Sequence, residues 1–236
     1  MRAAIFFVPP ADHKLTVAAA HWLGRDVFSG EDIPQPATGS FSADEVRDLT
    51  AFPRRYGFHA TLKPPFRIAP GFNIEEIGQS LDRFCRRLGP IEIPALRVER
   101  LGSFFALTPP APVPAINELA DAAVEEFERF RAPATTEETT RRRAERLTDS
   151  QRGNLERWGY PYVFNDYRFH MTLTGEVPDG HGPRLARILE ERFAEIAAKT
   201  LTIDALALFV EAAPPSDFLV HHMASMSRTN EPIDAA

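Results

Sequence analysis

The stretch YGFHATLKPPF, Tyr56 to Phe66, returns in altered form as YRFHMTLTGEV, Tyr167 to Val177. A chain of 236 residues with seven histidines thus places two of them in one Tyr-x-Phe-His-x-Thr-Leu frame. In a strand, residues i and i+2 share a face and i+1 points the other way. The frame therefore predicts two strands, at residues 56–63 and 167–174. Tyr56, Phe58, Ala60 and Leu62 form the apolar side of the first, and Tyr167, Phe169, Met171 and Leu173 that of the second. The opposite sides carry Gly57, His59, Thr61 and Lys63 in one copy and Arg168, His170, Thr172 and Thr174 in the other. Each polar row joins a histidine, a threonine two residues on and a cation. Neighbours on one face stand roughly 6 to 7 Å apart, a spacing that suits a phosphate-sized group.

The surroundings repeat as well. A strand at residues 3–8 and a helix at about 14–23 precede the first frame, and residues 30–42 read as a polar, proline-containing surface excursion. After the first frame come a helix from about Ile74 to Leu88, stopped by Gly89-Pro90, and the strands IEIPALRVE and SFFALTP. After the second come a helix at about 183–198 and the strands LTIDALALFVE and FLVHHMASM. Between the halves lie a helix at about 113–130 and an insertion at 132–158. In the insertion Glu137 and Glu138 stand four residues before Arg141 and Arg142, and Thr148 with Gln151 caps a short helix ended by Gly159. The arginine run 141–143 reads as a solvated face. The expectation is a duplicated unit within one domain covering residues 1–236.

Composition bounds the partners. Hydrophobic residues make up 44% and charged residues 25% of the chain, as in ordinary globular domains. The net charge of -6 argues against broad adhesion to nucleic acid. The first ten residues, MRAAIFFVPP, lack the length of a signal-peptide core or a membrane span, so a cytoplasmic protein without a membrane partner is expected. A single cysteine, Cys85, excludes an internal disulfide and a cysteine metal cluster. No His-x-His or His-x-x-x-His pair stands in the sequence, and neither a metal nor another cofactor is expected.

Two imidazoles in equivalent polar rows suit acid-base work at a phosphate-sized group, one ring taking a proton and the other giving one. With an ordinary pKa of about 6.5, one ring can be neutral while the other is charged. Thr61 and Thr172 would donate to the non-bridging oxygens, and Lys63 and Arg168 would offset the growing charge. Trp158 and Tyr160 are candidates for stacking a base or sugar at the mouth of the site. Tyr56 and Tyr167 read as packing residues, and His13, His21, His181, His221 and His222 as structural.

The duplicated frame resembles the two-histidine (2H) phosphoesterase superfamily of RNA 2′,3′-cyclic phosphodiesterases and 2′-5′ RNA ligase-like proteins. The phrases YGFHATLKPPF, WGYPYV and RFHMTLTG are similar to a bacterial branch associated with phosphonate-degradation genes. The resemblance implies an α+β fold of two lobes related by a pseudo-twofold axis, each an antiparallel sheet with packed helices, forming a central cleft. It implies the opening of a cyclic phosphodiester, with one proton taken from water and another given to the departing oxygen, His59 and His170 as catalytic, Thr61, Thr172, Lys63 and Arg168 as phosphate-binding, and a small sugar phosphate or nucleotide as substrate. RNA ranks below a small phosphate ester, and DNA is not expected. The second reading is a module that holds a phosphate, nucleotide or RNA end in the same cleft without chemistry.

Overall fold

The computed structural model describes residues 1–135 and 147–227. The expected charge pairs of Glu137 and Glu138 with Arg141 and Arg142, and the arginine run 141–143, lie outside the described residues. The fold is α+β, with a large antiparallel sheet and helices packed on it. In chain order the elements are β1 (Arg2–Phe7), α1 (Lys14–Leu23), α2 (Ala43–Tyr56), β2 (Ala60–Arg67), α3 (Ile74–Arg86), β3 (Ile91–Ile93), β4 (Arg97–Leu101), β5 (Phe104–Thr108) and α4 (Pro114–Glu126). They continue with α5 (Asp149–Trp158), β6 (Met171–Thr172), α6 (Gly182–Ala197), β7 (Leu201–Ile203), β8 (Ala205–Glu211) and β9 (Leu219–Ser225).

The seven-stranded sheet runs β4-β5-β6-β2-β1-β8-β9, and β3 pairs with β7 in a separate two-stranded sheet. The two lobes meet at the β2–β6 seam, where Ala60 pairs with Met171. Each histidine strand is followed by a helix, a strand of the small sheet and a hairpin. β1 lies between β2 and the β8–β9 hairpin, so the halves are similar rather than identical.

Alternation along β1 divides the interior. Ala3, Ile5 and Phe7 enter the main core with α1, α3 and α4, whereas Ala4, Phe6 and Val8 enter a smaller cluster with Val27, Phe209 and Phe218 on the other face. Burying a side chain the size of Phe6 stabilises by about 1.5 to 3 kcal/mol.

Helix α2 is absent from the sequence expectations, although its start is marked. Ser42 accepts from the Glu45 backbone, and Glu45 reaches back to the Ser42 N–H, a capping box. Pro53, inside the helix, leaves the Leu49 carbonyl without its usual partner. That carbonyl instead accepts from Gly175 N at 2.7 Å. Trp22 Nε1 likewise donates to Leu173 O at 2.8 Å, so α1 and α2 both grip the chain just past the second histidine strand. At the other end of α2 the buried Arg25 guanidinium donates to the carbonyls of Arg54, Arg55 and Phe218.

Candidate active site

The first histidine strand begins later than the alternation predicts. Residues 56–59 are not strand: Tyr56 ends α2, and Gly57 breaks the helix at φ 72. An added Cβ at Gly57 would lie 2.5 Å from Val27 Cγ2, so this position needs glycine for both conformation and space. The second strand is shorter still, only Met171 and Thr172.

Both histidines are oriented alike. His59 Nδ1 lies 2.8 Å from Gly57 O, and His170 Nδ1 lies 2.8 Å from Arg168 O. A carbonyl oxygen only accepts, so each Nδ1 carries the hydrogen, and in the neutral ring Nε2 keeps its lone pair. Thr61 Oγ1, 3.3 Å from His59 Nε2, donates to it. The Ala60–Met171 pair, extended by one residue each way, sets His59 opposite Thr172 and Thr61 opposite His170. Directly opposite Cβ atoms stand about 4.5–5.5 Å apart and diagonal ones roughly 7–8 Å. The two imidazoles occupy the diagonal, a span that accommodates one phosphate between them.

The four residues line a single open cleft of about 900 Å³. The His59 ring stacks on Phe6 at 3.9 Å between centroids, and Phe104 lies 5.8 Å from the His170 ring. Burial pushes the His59 imidazole from 6.5 down to about 4, opposed by the bond to Gly57 and reinforced by the nearby His170. Burial also lowers His170, with the Arg168 carbonyl acting against the shift and the Arg168 charge adding to it. Both rings are therefore neutral near pH 7 in the empty cleft, ready to accept a proton at Nε2. A bound phosphate anion would raise the proton affinity of both.

The two cations expected beside the histidines are elsewhere. Lys63 is buried, its ammonium donating to Val124 O at 2.9 Å and ion-paired with Glu128. The cause is register: Phe6 pairs with Thr61 but Ile5 with Lys63, so one extra residue of β2 is taken up between them. Such a bulge breaks the alternation and turns Lys63 to the face where Ile5 meets the helices. Arg168 is 58% exposed and its guanidinium pairs with Glu99 at 2.7 Å, so it is not part of the cleft lining. Trp158 is also outside the lining, packed 5.1 Å from the Phe164 ring with Arg157 over its face, whereas Tyr160 does line the cleft.

Several lining residues are ones that the sequence does not assign to the site. Tyr56 faces the cleft and stacks on Phe218 at 5.1 Å between centroids, instead of entering the main core, because it belongs to a helix and not to the strand. Phe52, one turn earlier, lines the cleft while 68% exposed. Arg2, Arg55 and Arg67 supply its positive charge. Arg55 stands four residues before His59, a signal present in the sequence, whereas Arg2 and Arg67 are brought in only by strand pairing. Among the described residues no group of three or more His, Cys, Asp or Glu side chains is placed to hold a metal ion, and no helix is long and apolar enough to cross a membrane.

A family model described as "Protein of unknown function (DUF1045)" matches residues 61–219. Two curated relatives are both called ribose 1,5-bisphosphate phosphokinase PhnN. The protein from Janthinobacterium sp. (strain Marseille) is 39% identical over 222 residues, 92% of this chain and 49% of that protein. The protein from Laribacter hongkongensis (strain HLHK9) is 33% identical over 211 residues, 89% of this chain and 48% of that protein. The chain thus spans about half the length of the curated relatives it matches. Among solved structures, a phosphoesterase covers 96% of this chain and 98% of its own at 11% identity and a TM-score of 0.41. E. coli LigT complexed with ATP gives 11% identity and 0.40 over the same shares. Likenesses of this depth carry no functional argument, and the site geometry bears that weight.

Proposed function

The chain belongs to the DUF1045 family, and we propose that it is a metal-independent phosphodiesterase of the 2H phosphoesterase type, opening a cyclic phosphate on a small sugar phosphate or nucleotide. The observation that carries this reading is the matched pair of imidazoles, each fixed through Nδ1 by a carbonyl two residues before it, sharing one cleft. A site that only bound phosphate would gain nothing from two titratable rings fixed in the same tautomer.

In the reaction the neutral ring takes a proton from water at Nε2 as the water oxygen forms its bond to phosphorus. The other ring, protonated once the anion is bound, gives its proton to the departing ring oxygen as the phosphorus–oxygen bond breaks. The products are a phosphomonoester and a free hydroxyl, with the two histidines exchanged in protonation state. Thr61 and Thr172, opposite the two imidazoles, donate hydroxyl hydrogen bonds to the non-bridging oxygens as charge grows there. Each proton transfer supplies on the order of 10² to 10⁴ in rate. All proton movements are assigned to side chains, so the reaction needs no metal.

The relatives' printed name supports a ribose phosphate as substrate and, with the resemblance of the histidine frames, a place in phosphonate breakdown. Their kinase activity is not assigned to this chain. Its three lysines, Lys14, Lys63 and Lys199, include none in the Gly-Lys-Ser/Thr step of a phosphate-binding loop. Phosphorus NMR of a ribose cyclic phosphate with the protein in EDTA tests the proposal. Conversion of the diester resonance to a monoester is expected, with neither His59→Ala nor His170→Ala active. Shifted resonances without a monoester would instead support the non-catalytic binding module.

A further inference from the structure

The carbonyls that orient the two imidazoles are held by different means. Gly57 is fixed at the end of α2 and packed against Val27. Arg168 lies ahead of the two-residue strand β6, with its backbone outside the ladder. Its side chain supplies the anchor. The guanidinium donates to Glu99 Oε1 at 2.7 Å, while Glu99 Oε2 accepts from Thr108 Oγ1 at 2.6 Å and lies 3.6 Å from Arg97. Thr108 is buried, and the Leu107–Met171 pair, extended by one residue, sets it opposite His170. Glu99 of β4 thus ties an exposed arginine to a buried hydroxyl of β5. Each carboxylate oxygen has its own donor, so the group cannot turn without losing a hydrogen bond.

The brace also carries charge. Thr108 and then Arg168 hold the Glu99 carboxyl below its ordinary range, with burial acting against them. An anion therefore stands beside the one cation that neighbours His170 in sequence. Burial is the largest influence lowering the proton affinity of His170, and the Arg168 charge adds to it. Glu99 offsets that charge. The other charged or titratable groups near His170 are His59 across the seam and Arg97 on β4, while Arg2, Arg55, Arg67, Tyr56 and Tyr160 line the same cleft. Thr108 and Phe104 of β5 and Thr61 of β2 are neutral.

We propose that Glu99, seated on Thr108, is a positioning residue for the second imidazole. Through Arg168 it keeps the carbonyl aimed at Nδ1 and offsets the cation beside the ring. Its part in catalysis rests on the phosphodiesterase reading above, whereas its hold on the ring does not. His59 has no such dependence, because the carbonyl that orients it belongs to a residue without a side chain.

NMR of the unliganded protein, labelled with nitrogen-15 at histidine, reads the tautomer and titration of each ring at low salt. In the wild type His170 is expected as the Nδ1–H tautomer. Glu99→Gln keeps the shape and removes the charge, so the His170 midpoint should fall while His59 stays unchanged. Adding Arg168→Gln should bring the midpoint back to the wild-type value or above it. Glu99→Ala removes shape and charge together, and a mixture of Nδ1–H and Nε2–H tautomers is expected at His170 alone. A His170 midpoint that does not move in Glu99→Gln, or an equal movement at His59, would overturn the electrostatic part. A single Nδ1–H tautomer in Glu99→Ala would overturn the positional part. With a ribose cyclic phosphate, Glu99→Ala is expected to lower kcat about fivefold and leave KM within about twofold. An unchanged kcat would remove Glu99 from catalysis. Absence of turnover in the wild type would sink the phosphodiesterase instead, and the NMR titration would still decide whether Glu99 holds the ring.

Discussion

The two histidine strands share a motif but not a setting. His59 precedes an eight-residue strand in the middle of the sheet, and its ring lies flat on Phe6. His170 precedes a two-residue strand, and its ring contact among the described residues is with the tilted ring of Phe104. The carbonyl that orients His59 belongs to Gly57, which is wedged against Val27, whereas the one that orients His170 belongs to Arg168, an exposed residue. The difference shows that a repeated frame guarantees the tautomer, which local backbone sets, but not the dielectric, which neighbouring strands set. One ring is deeply desolvated and the other is closer to solvent, an inequality a two-step proton exchange can use.

The comparison breaks most sharply if the histidines are not both needed. Each of His59→Ala and His170→Ala is expected to lower kcat for a cyclic phosphate by a factor of about 10³ or more, read by phosphorus NMR or product assay. A residual rate in one variant within tenfold of wild type would leave a single-histidine site.

Next in size is Gly57→Ala. Its methyl group must displace Val27 at a positive φ, and it is expected to destabilise the fold by about 2 to 3 kcal/mol, measured by denaturant unfolding. Arg168→Ala, at the equivalent carbonyl, is expected to change stability by less than about 0.5 kcal/mol. Equal losses would show the two settings to be alike.

Acid stability sharpens the comparison further. The His59 pKa is about 4 in the folded protein against 6.5 for the ordinary ring. Between those values the unfolded chain binds more protons, so stability rises with pH. The contribution is complete above pH 6.5, is lost progressively as pH falls, and is flat below about 4. This accounts for an acid loss of about 3 kcal/mol, which His59→Gln should largely abolish in unfolding curves at stepped pH. His170→Gln should abolish less.

The smallest kinetic effect is expected at Lys63. Its ammonium pairs with Glu128 away from the cleft, so Lys63→Met should lower thermal stability but keep kcat and KM within about twofold. A large rise in KM would return Lys63 to the phosphate site.

These contrasts also define what the sequence revealed. Period-two alternation correctly separated His59 and Thr61 from Ala60 and Leu62, because β2 is regular over those residues. It failed at Lys63, since a bulge is a property of the pairing with β1 and leaves no mark in the strand's own pattern. It failed at Tyr56 because Pro53 hid the end of a helix that the Ser42–Glu45 capping box announces. IEIPALRVE reads as one strand, yet Pro94 divides it between two sheets as β3 and β4. Arg2, Arg67 and Glu211 are 65 and 144 residues apart in the chain and become neighbours only across β1. The imidazoles were legible because local backbone orients them; Arg2 and Arg67 were not, because long-range pairing places them.

The central claim is that both Nε2 atoms address one phosphate. A crystal structure with vanadate bound in the cleft tests it most directly. Vanadate oxygens within about 3.2 Å of Nε2 on both His59 and His170, with Thr61 and Thr172 hydroxyls on the remaining oxygens, are expected. Vanadate on one ring only, or held away from both, would contradict it.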